Sequence, residues 1–187
     1  MDLNYGSEYE GFRKEVQKFC KKYSGVIITN KKGGALTSLN AVADSDKSNG
    51  QKVTRSEWQK ILIKNGYFAR SIPKEFGGFG GEIDIIKNRI IAAEFASSKI
   101  PPPMGGQGID MLVPTLLELG TQEQKEKYIK PTLHGEMIWC QGYSEPNAGS
   151  DLASLKTEAV LSEDGKHYIV NGQKTWTTLA QHADWIF

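Results

Sequence analysis

The sequence predicts an α+β protein, helical over residues 1–134 and built of short strands over residues 135–187. Three observations predict it. Through the first two thirds, apolar residues recur at three- and four-residue intervals behind helix-capping signals. From Gly135 that spacing stops, and Asp164-Gly165 and Asn171-Gly172 separate strand-like runs. Finally, 187 residues with 39% hydrophobic content can bury a real core and are too apolar for a solvated, disordered chain.

Ser7 and Glu10 have capping-box spacing, and Tyr9, Phe12, Val16, Phe19 and Cys20 form one apolar stripe behind them. Residues 25–52 are rich in Gly, Ser, Asn, Asp and Lys and read as a connector with short apolar pieces such as Val26-Ile27-Ile28. A second box, Thr54 to Glu57, opens a helix carrying Trp58, Ile61 and Leu62, which Gly66 can stop. After a glycine-rich loop at residues 72–81, Ile83, Ile86, Ile90 and Ala93 mark another helix face. Pro101 to Pro103 break the chain before a helix with Ile109, Leu112, Leu116 and Leu119, in which Pro114 belongs to the first turn or marks a kink. Gly120 suits a C-terminal cap, and Thr121 with Gln124 begins a short helix expected to end before Pro131. Strands are expected at residues 157–161, 166–170, 173–178 and 183–187. A strand at the end of a half-built sheet suggests a truncated protein.

Charge excludes some functions. Lys plus Arg number 23 against 22 Asp plus Glu, so no basic footprint for nucleic acid or an anionic membrane exists. Cys20 and Cys140, with three histidines, match no metal spacing, and both thiols read as reduced and packed. The start lacks a secretory pattern and no apolar run approaches the roughly 20 residues of a membrane span, so a soluble, intracellular protein is expected.

Small residues and hydroxyls gather in residues 139–151, around Gln141, Gly142, Tyr143, Ser144 and Ser150, where helix gives way to sheet. Ser144, Ser150 and neighbouring amides can donate to anionic oxygen. Residues 173–178 set Trp176, a flat apolar face, beside Thr175, Thr177 and Thr178. The two stretches could hold a flat heteroaromatic ring with a phosphate tail, although composition alone favours plain turns.

The strings Tyr143-Ser144-Glu145-Pro146-Asn147-Ala148-Gly149-Ser150-Asp151 and Asn171-Gly172-Gln173-Lys174-Thr175-Trp176-Thr177-Thr178 resemble the acyl-CoA dehydrogenase family. The likeness continues in residues 108–117, 120–125 and 184–185, strong from Pro101 onward and weak over residues 7–98. It implies an N-terminal helical bundle (residues 1–134) and the first strands of an antiparallel, β-barrel-like middle domain (135–187). It also implies FAD-dependent oxidation of an acyl-CoA thioester to the trans-2-enoyl form, within lipid metabolism. By position, Gln141, Gly142, Tyr143 and Ser144 would border the isoalloxazine ring, with Ser144 at its polar edge. Ser150 would lie beside the pyrophosphate and the acyl-CoA, and Trp176, Thr177 and Thr178 would cover the ring's other side. The implied partners are acyl-CoA, an electron-transfer flavoprotein and further subunits of a homo- or hetero-oligomer, in the cytoplasm or the mitochondrial matrix.

The family's general base is a glutamate of a C-terminal domain beyond Phe187, so no catalytic base is assigned here. Glu145 reads as structural, because the family has the same glutamate alongside its base. Members often carry tryptophan at the Ile72 position, and residues 24–52 match no recognised motif. Residues 77–81 lack the Gly-Lys-Ser/Thr ending of a phosphate loop and read as a linker turn. Residues 104–108 are either a lining of an acyl pocket or a plain loop entering a helix. Lys125 to Lys127 read as a solvated face and His182 as surface or interface rather than catalytic. A fragment, one piece of a split enzyme, and a non-catalytic subunit completed by a partner all fit such a chain.

Overall fold

In a computed structural model that describes residues 6–29 and 50–187, the protein forms two compact units, Met1–Met137 and Ile138–Phe187. Most of the connector expected at residues 25–52 lies outside the described residues.

In the first unit, helix α1 (Ser7–Lys22) buries Val16, Phe19 and Cys20, with Tyr9 and Phe12 partly buried beside them. Its N-cap is Gly6, with no side-chain cap. The helix begins one residue earlier than a Ser7 cap requires, because Tyr9 N–H already donates to Gly6 O. Strands β1 (Ile27–Thr29) and β2 (Lys52–Thr54) pair in parallel, a short ladder in place of plain connector.

Helix α2 (Arg55–Lys64) opens with the expected reciprocal box, Thr54 N–H to Glu57 at 2.7 Å and Glu57 N–H to Thr54 Oγ1 at 3.2 Å. At its end Gly66 has φ +72°, with Gly66 N–H on Ile63 O and Tyr67 N–H on Leu62 O, a Schellman ending. A Cβ at Gly66 would come within 2.8 Å of the Phe79 ring.

Helix α3 (Ile85–Ser97) corrects the predicted face. It buries Ile90, Ile91, Glu94 and Phe95, while Ile83 just before it is 81% exposed and Ala93 is exposed. The segment is apolar on most sides, so spacing alone picks no face. Glu94 is buried because Arg13 Nε of α1 meets its carboxylate at 2.6 Å. Phe19 stacks on Phe95 with ring centroids 5.8 Å apart, and Trp58 and Tyr67 close around it.

A π-helical turn at Gly108–Leu112 runs into α4 (Val113–Leu119), with Pro114 in the first turn. Leu112 and Leu116 are buried as expected, but Leu119 is exposed. Helix α5 (Gln122–Leu133) has the expected Thr121–Gln124 box and continues through Pro131. The proline leaves one carbonyl of the preceding turn without its usual donor, yet the helix closes on Leu133. Gln59, fully buried, anchors this end. Its amide donates to Leu133 O at 3.1 Å, and its carbonyl oxygen accepts from Met104 N–H at 2.8 Å.

In the second unit, β3 (Trp139–Cys140) pairs in parallel with β6 (Trp185–Ile186). The hairpin β4 (Glu158–Leu161) and β5 (Tyr168–Asn171) is antiparallel, turning at Asp164-Gly165, where Gly165 has φ +67°. The expected antiparallel sheet is therefore half realised: the ladders are two-stranded and open, β3 and β6 run parallel, and no barrel closes. Nor is the run at residues 173–178 a strand. Trp176 has φ +55°, which ends any extended path.

Candidate functional site

The second unit brings parts of the two motif stretches together. Glu145-Pro146-Asn147-Ala148 folds into a tight turn, with Glu145 and Ala148 exchanging both backbone hydrogen bonds. Proline at its second position suits the turn's fixed φ. Ser144 O accepts from Thr175 N–H at 2.8 Å, and Lys174 Nζ donates to Tyr143 O at 3.0 Å.

Glu145 is the hub of this arrangement. Its side chain is 7% exposed and accepts from Lys174 Nζ at 2.9 Å, Thr157 N–H at 3.0 Å and Lys156 N–H at 2.8 Å. The Thr157 hydroxyl is buried in the same place, short of a fully formed hydrogen bond. That hydroxyl, the Lys156 amide and the Lys174 ammonium together push the carboxyl down from 4.5 to about 2. A carboxylate so acidic and so fully used is a poor proton acceptor near neutral pH. The geometry thus agrees with a structural Glu145.

The predicted site residues fall into two groups. Gly142, Tyr143 and Ser144 are part of the tied cluster, through Gly142 N–H on Phe187 O and the two carbonyl contacts above. Gln141, half-buried, precedes them. The Ser144 N–H and hydroxyl meet no protein partner among the described residues. Beyond the tie, Trp176 is 88% exposed, Thr177 Oγ1 reaches Thr175 O at 3.5 Å, and Thr178 is exposed. Ser150 is exposed and makes no hydrogen bond to the cluster. Sequence reasoning missed Lys174 and Thr157. Lys174 lay inside a quoted motif, and its signal was a lone cation one residue ahead of the hydroxyl and indole group.

In the first unit, a cleft of about 580 Å³ opens among Phe68, Arg70, Ile91, Ala96 and Pro103, and none of the predicted site residues lines it. Residues 104–108 form the loop that enters the π-helical turn at Gly108. Among the described residues, no group of His, Cys, Asp and Glu could hold a metal ion, and no helix is long and apolar enough to cross a membrane.

Two family descriptions match the chain: "Acyl-CoA dehydrogenase, N-terminal domain" over residues 35–136 and "Acyl-CoA dehydrogenase, middle domain" over residues 140–187. The first begins inside the polar stretch that motifs left unmatched. Acyl-CoA dehydrogenase IpdE1 of Mycolicibacterium smegmatis is 33% identical over 181 residues, covering 92% of this chain and 45% of the relative. The ChsE4–ChsE5 complex from Mycobacterium tuberculosis aligns over 100% of this chain and 42% of that one, at 31% identity and TM-score 0.61. A Bacillus anthracis acyl-CoA dehydrogenase complexed with FAD shares the fold, with TM-score 0.56 at 23% identity, over 100% of this chain and 30% of that one. The chain thus spans less than half the length of these proteins.

Proposed function

Because the chain belongs to the acyl-CoA dehydrogenase family, we propose that it is the N-terminal helical part (residues 1–134) and the partial middle part (135–187) of an FAD-dependent acyl-CoA dehydrogenase. The reaction is α,β-dehydrogenation of an acyl-CoA thioester to the trans-2-enoyl-CoA. Bound FAD supplies the hydride acceptor.

One observation carries this reading: the two motif stretches meet at Ser144 and Thr175, leaving Ser144 N–H and Oγ open near an exposed indole-bearing segment. Those residues fit a flavin. In this assignment Ser144 donates to the ring's polar edge, while Gln141, Gly142 and Tyr143 border the ring. Trp176 and Thr177 would cover the ring's other side, with Thr178 as the donor near the nitrogen where negative charge arrives. Donors fixed before the reaction stabilise such charge with little reorganisation. Ser150 sits in the exposed stretch assigned to the pyrophosphate and acyl-CoA. No residue of this chain is assigned as base, since Glu145 is fully engaged. Electrons pass on to an electron-transfer flavoprotein, in an oligomer of the cytoplasm or mitochondrial matrix, as a step of fatty acid and lipid metabolism.

A second reading, a non-catalytic subunit needing a partner chain for activity, is favoured by the hairpin, whose Val160, Tyr168 and Val170 are more than half exposed. The test is purification followed by flavin absorbance and an assay with a panel of acyl-CoAs and an artificial acceptor. A chain that takes up FAD but turns over acyl-CoA only when the remainder of the enzyme supplies a base supports the first reading. A colourless chain that gains both properties only with a partner supports the second, and one that never takes up flavin in any assembly overturns the enzymatic reading.

A further inference from the structure

We infer that Lys174 is a positioning residue that fixes the direction of the open donors of Ser144, an inference that rests on the flavin reading above. In a trans peptide the C=O and the following N–H point in opposite directions. Lys174 Nζ holds Tyr143 O at 3.0 Å, so the Ser144 N–H is turned away from Lys174 and outward from the tie. Thr175 N–H holds Ser144 O at 2.8 Å, which fixes the peptide on the other side of the same residue. Both bonds come from the second motif stretch, so Ser144 presents its N–H and hydroxyl from a backbone clamped at two successive carbonyls.

Lys174 is itself held. Glu145 takes its ammonium at 2.9 Å, and the amides of Lys156 and Thr157 hold Glu145 in turn. The lysine stem passes Gly142, where a Cβ would meet Lys174 Cγ at 3.5 Å and Ile186 Cδ1 at 2.5 Å. Close passage of the stem and of Ile186 explains a glycine at 142. The chain of contacts runs from the start of the hairpin, through a carboxylate and an ammonium, to the carbonyl before Ser144. Lys174 touches no reacting atom in this assignment; it acts through Ser144.

The test uses the full 187-residue chain, with Lys174→Met, which keeps the stem and removes the donor, and Lys174→Arg, which keeps a cation. Amide exchange by NMR and titration with FAD are the two readouts. Lys174→Met is expected to speed Thr175 exchange at least tenfold and to move the Ser144 amide resonance, with Val160 and Ile169 of the hairpin unchanged. FAD affinity should fall about tenfold, or about 1.4 kcal/mol. Lys174→Arg should restore both readouts to within about threefold of the parent, taking a factor of three as about 0.65 kcal/mol. Thr175 exchange within twofold of the parent in Lys174→Met, or equal acceleration of the hairpin amides, overturns the inference. Should the parent bind no FAD, alone or with a partner chain, while Lys174→Met still frees Thr175 selectively, the flavin reading fails and the hold of Lys174 on Ser144 stands.

Discussion

The two units are organised by opposite means. Around Phe19 the helical unit packs ring on ring, with Trp58, Tyr67 and Phe95 in contact and α1 seated on α3. Around Glu145 the strand unit is tied by a buried carboxylate with three donors, while the residues of its hairpin ladder are all exposed. Apolar packing is non-directional and tolerates sliding, so it makes a scaffold. Hydrogen bonds to a charge are directional and fix where a carbonyl or amide points. The second unit thus spends its buried polar contacts on the segment assigned to cofactor binding and leaves its sheet open.

The comparison breaks most easily at the aromatic core. Phe19→Ala should destabilise the helical unit by about 3–5 kcal/mol, the usual cost of emptying a buried aromatic site. Urea unfolding followed by helical circular dichroism checks it, with a lower midpoint and an unchanged slope expected. A loss below about 1 kcal/mol would mean that the rings around Phe19 collapse into the space and that packing there is loose.

A middle-sized effect tests whether the helical unit also depends on directed contacts. Gln59→Leu keeps the bulk but removes the donor to Leu133 O, one of the last carbonyls of α5, and the acceptor for Met104 N–H. Stranding buried polar groups costs about 1–3 kcal/mol. The same urea transition should show that loss, and NMR should show faster exchange at Met104.

What the sequence made legible is what local chemistry decides. The boxes at Thr54–Glu57 and Thr121–Gln124 each span four consecutive residues and need no tertiary partner, and both form. Asp164-Gly165 turns its hairpin for the same reason. Misses begin where a distant residue decides. Ile85, Ile86, Ile90, Ile91 and Phe95 make α3 apolar nearly all round, and only Arg13, 81 residues away, explains why Glu94 points inward. The parallel pairing of β3 with β6 and the irregular path at residues 173–178 depend likewise on contacts the local pattern does not carry. At the candidate site the motif residues were recognised as strings. The ion pair joining them spans 29 residues, and no local spacing announces it.

The finest test of the comparison is acid, because only one of the two centres contains a carboxylate held this far below its ordinary range. Glu145 titrates at about 2 in the folded chain and at 4.5 when free. A lowered pKa means that the ionised form is favoured by folding. Its contribution is therefore full above about 4.5, shrinks as pH falls below that value, and is gone once the carboxyl is protonated near 2. Protonation of Glu145 removes the anion from the pair and leaves Lys174 Nζ with Tyr143 O alone. The amide resonances of Lys156 and Thr157, which donate directly to that carboxylate, should titrate with a midpoint of about 2. Glu145→Gln should abolish the transition at both amides and leave the aromatic resonances around Phe19 unmoved. A midpoint near 4.5 would mean that the carboxylate is solvated and that the strand unit owes its shape to something other than this tie.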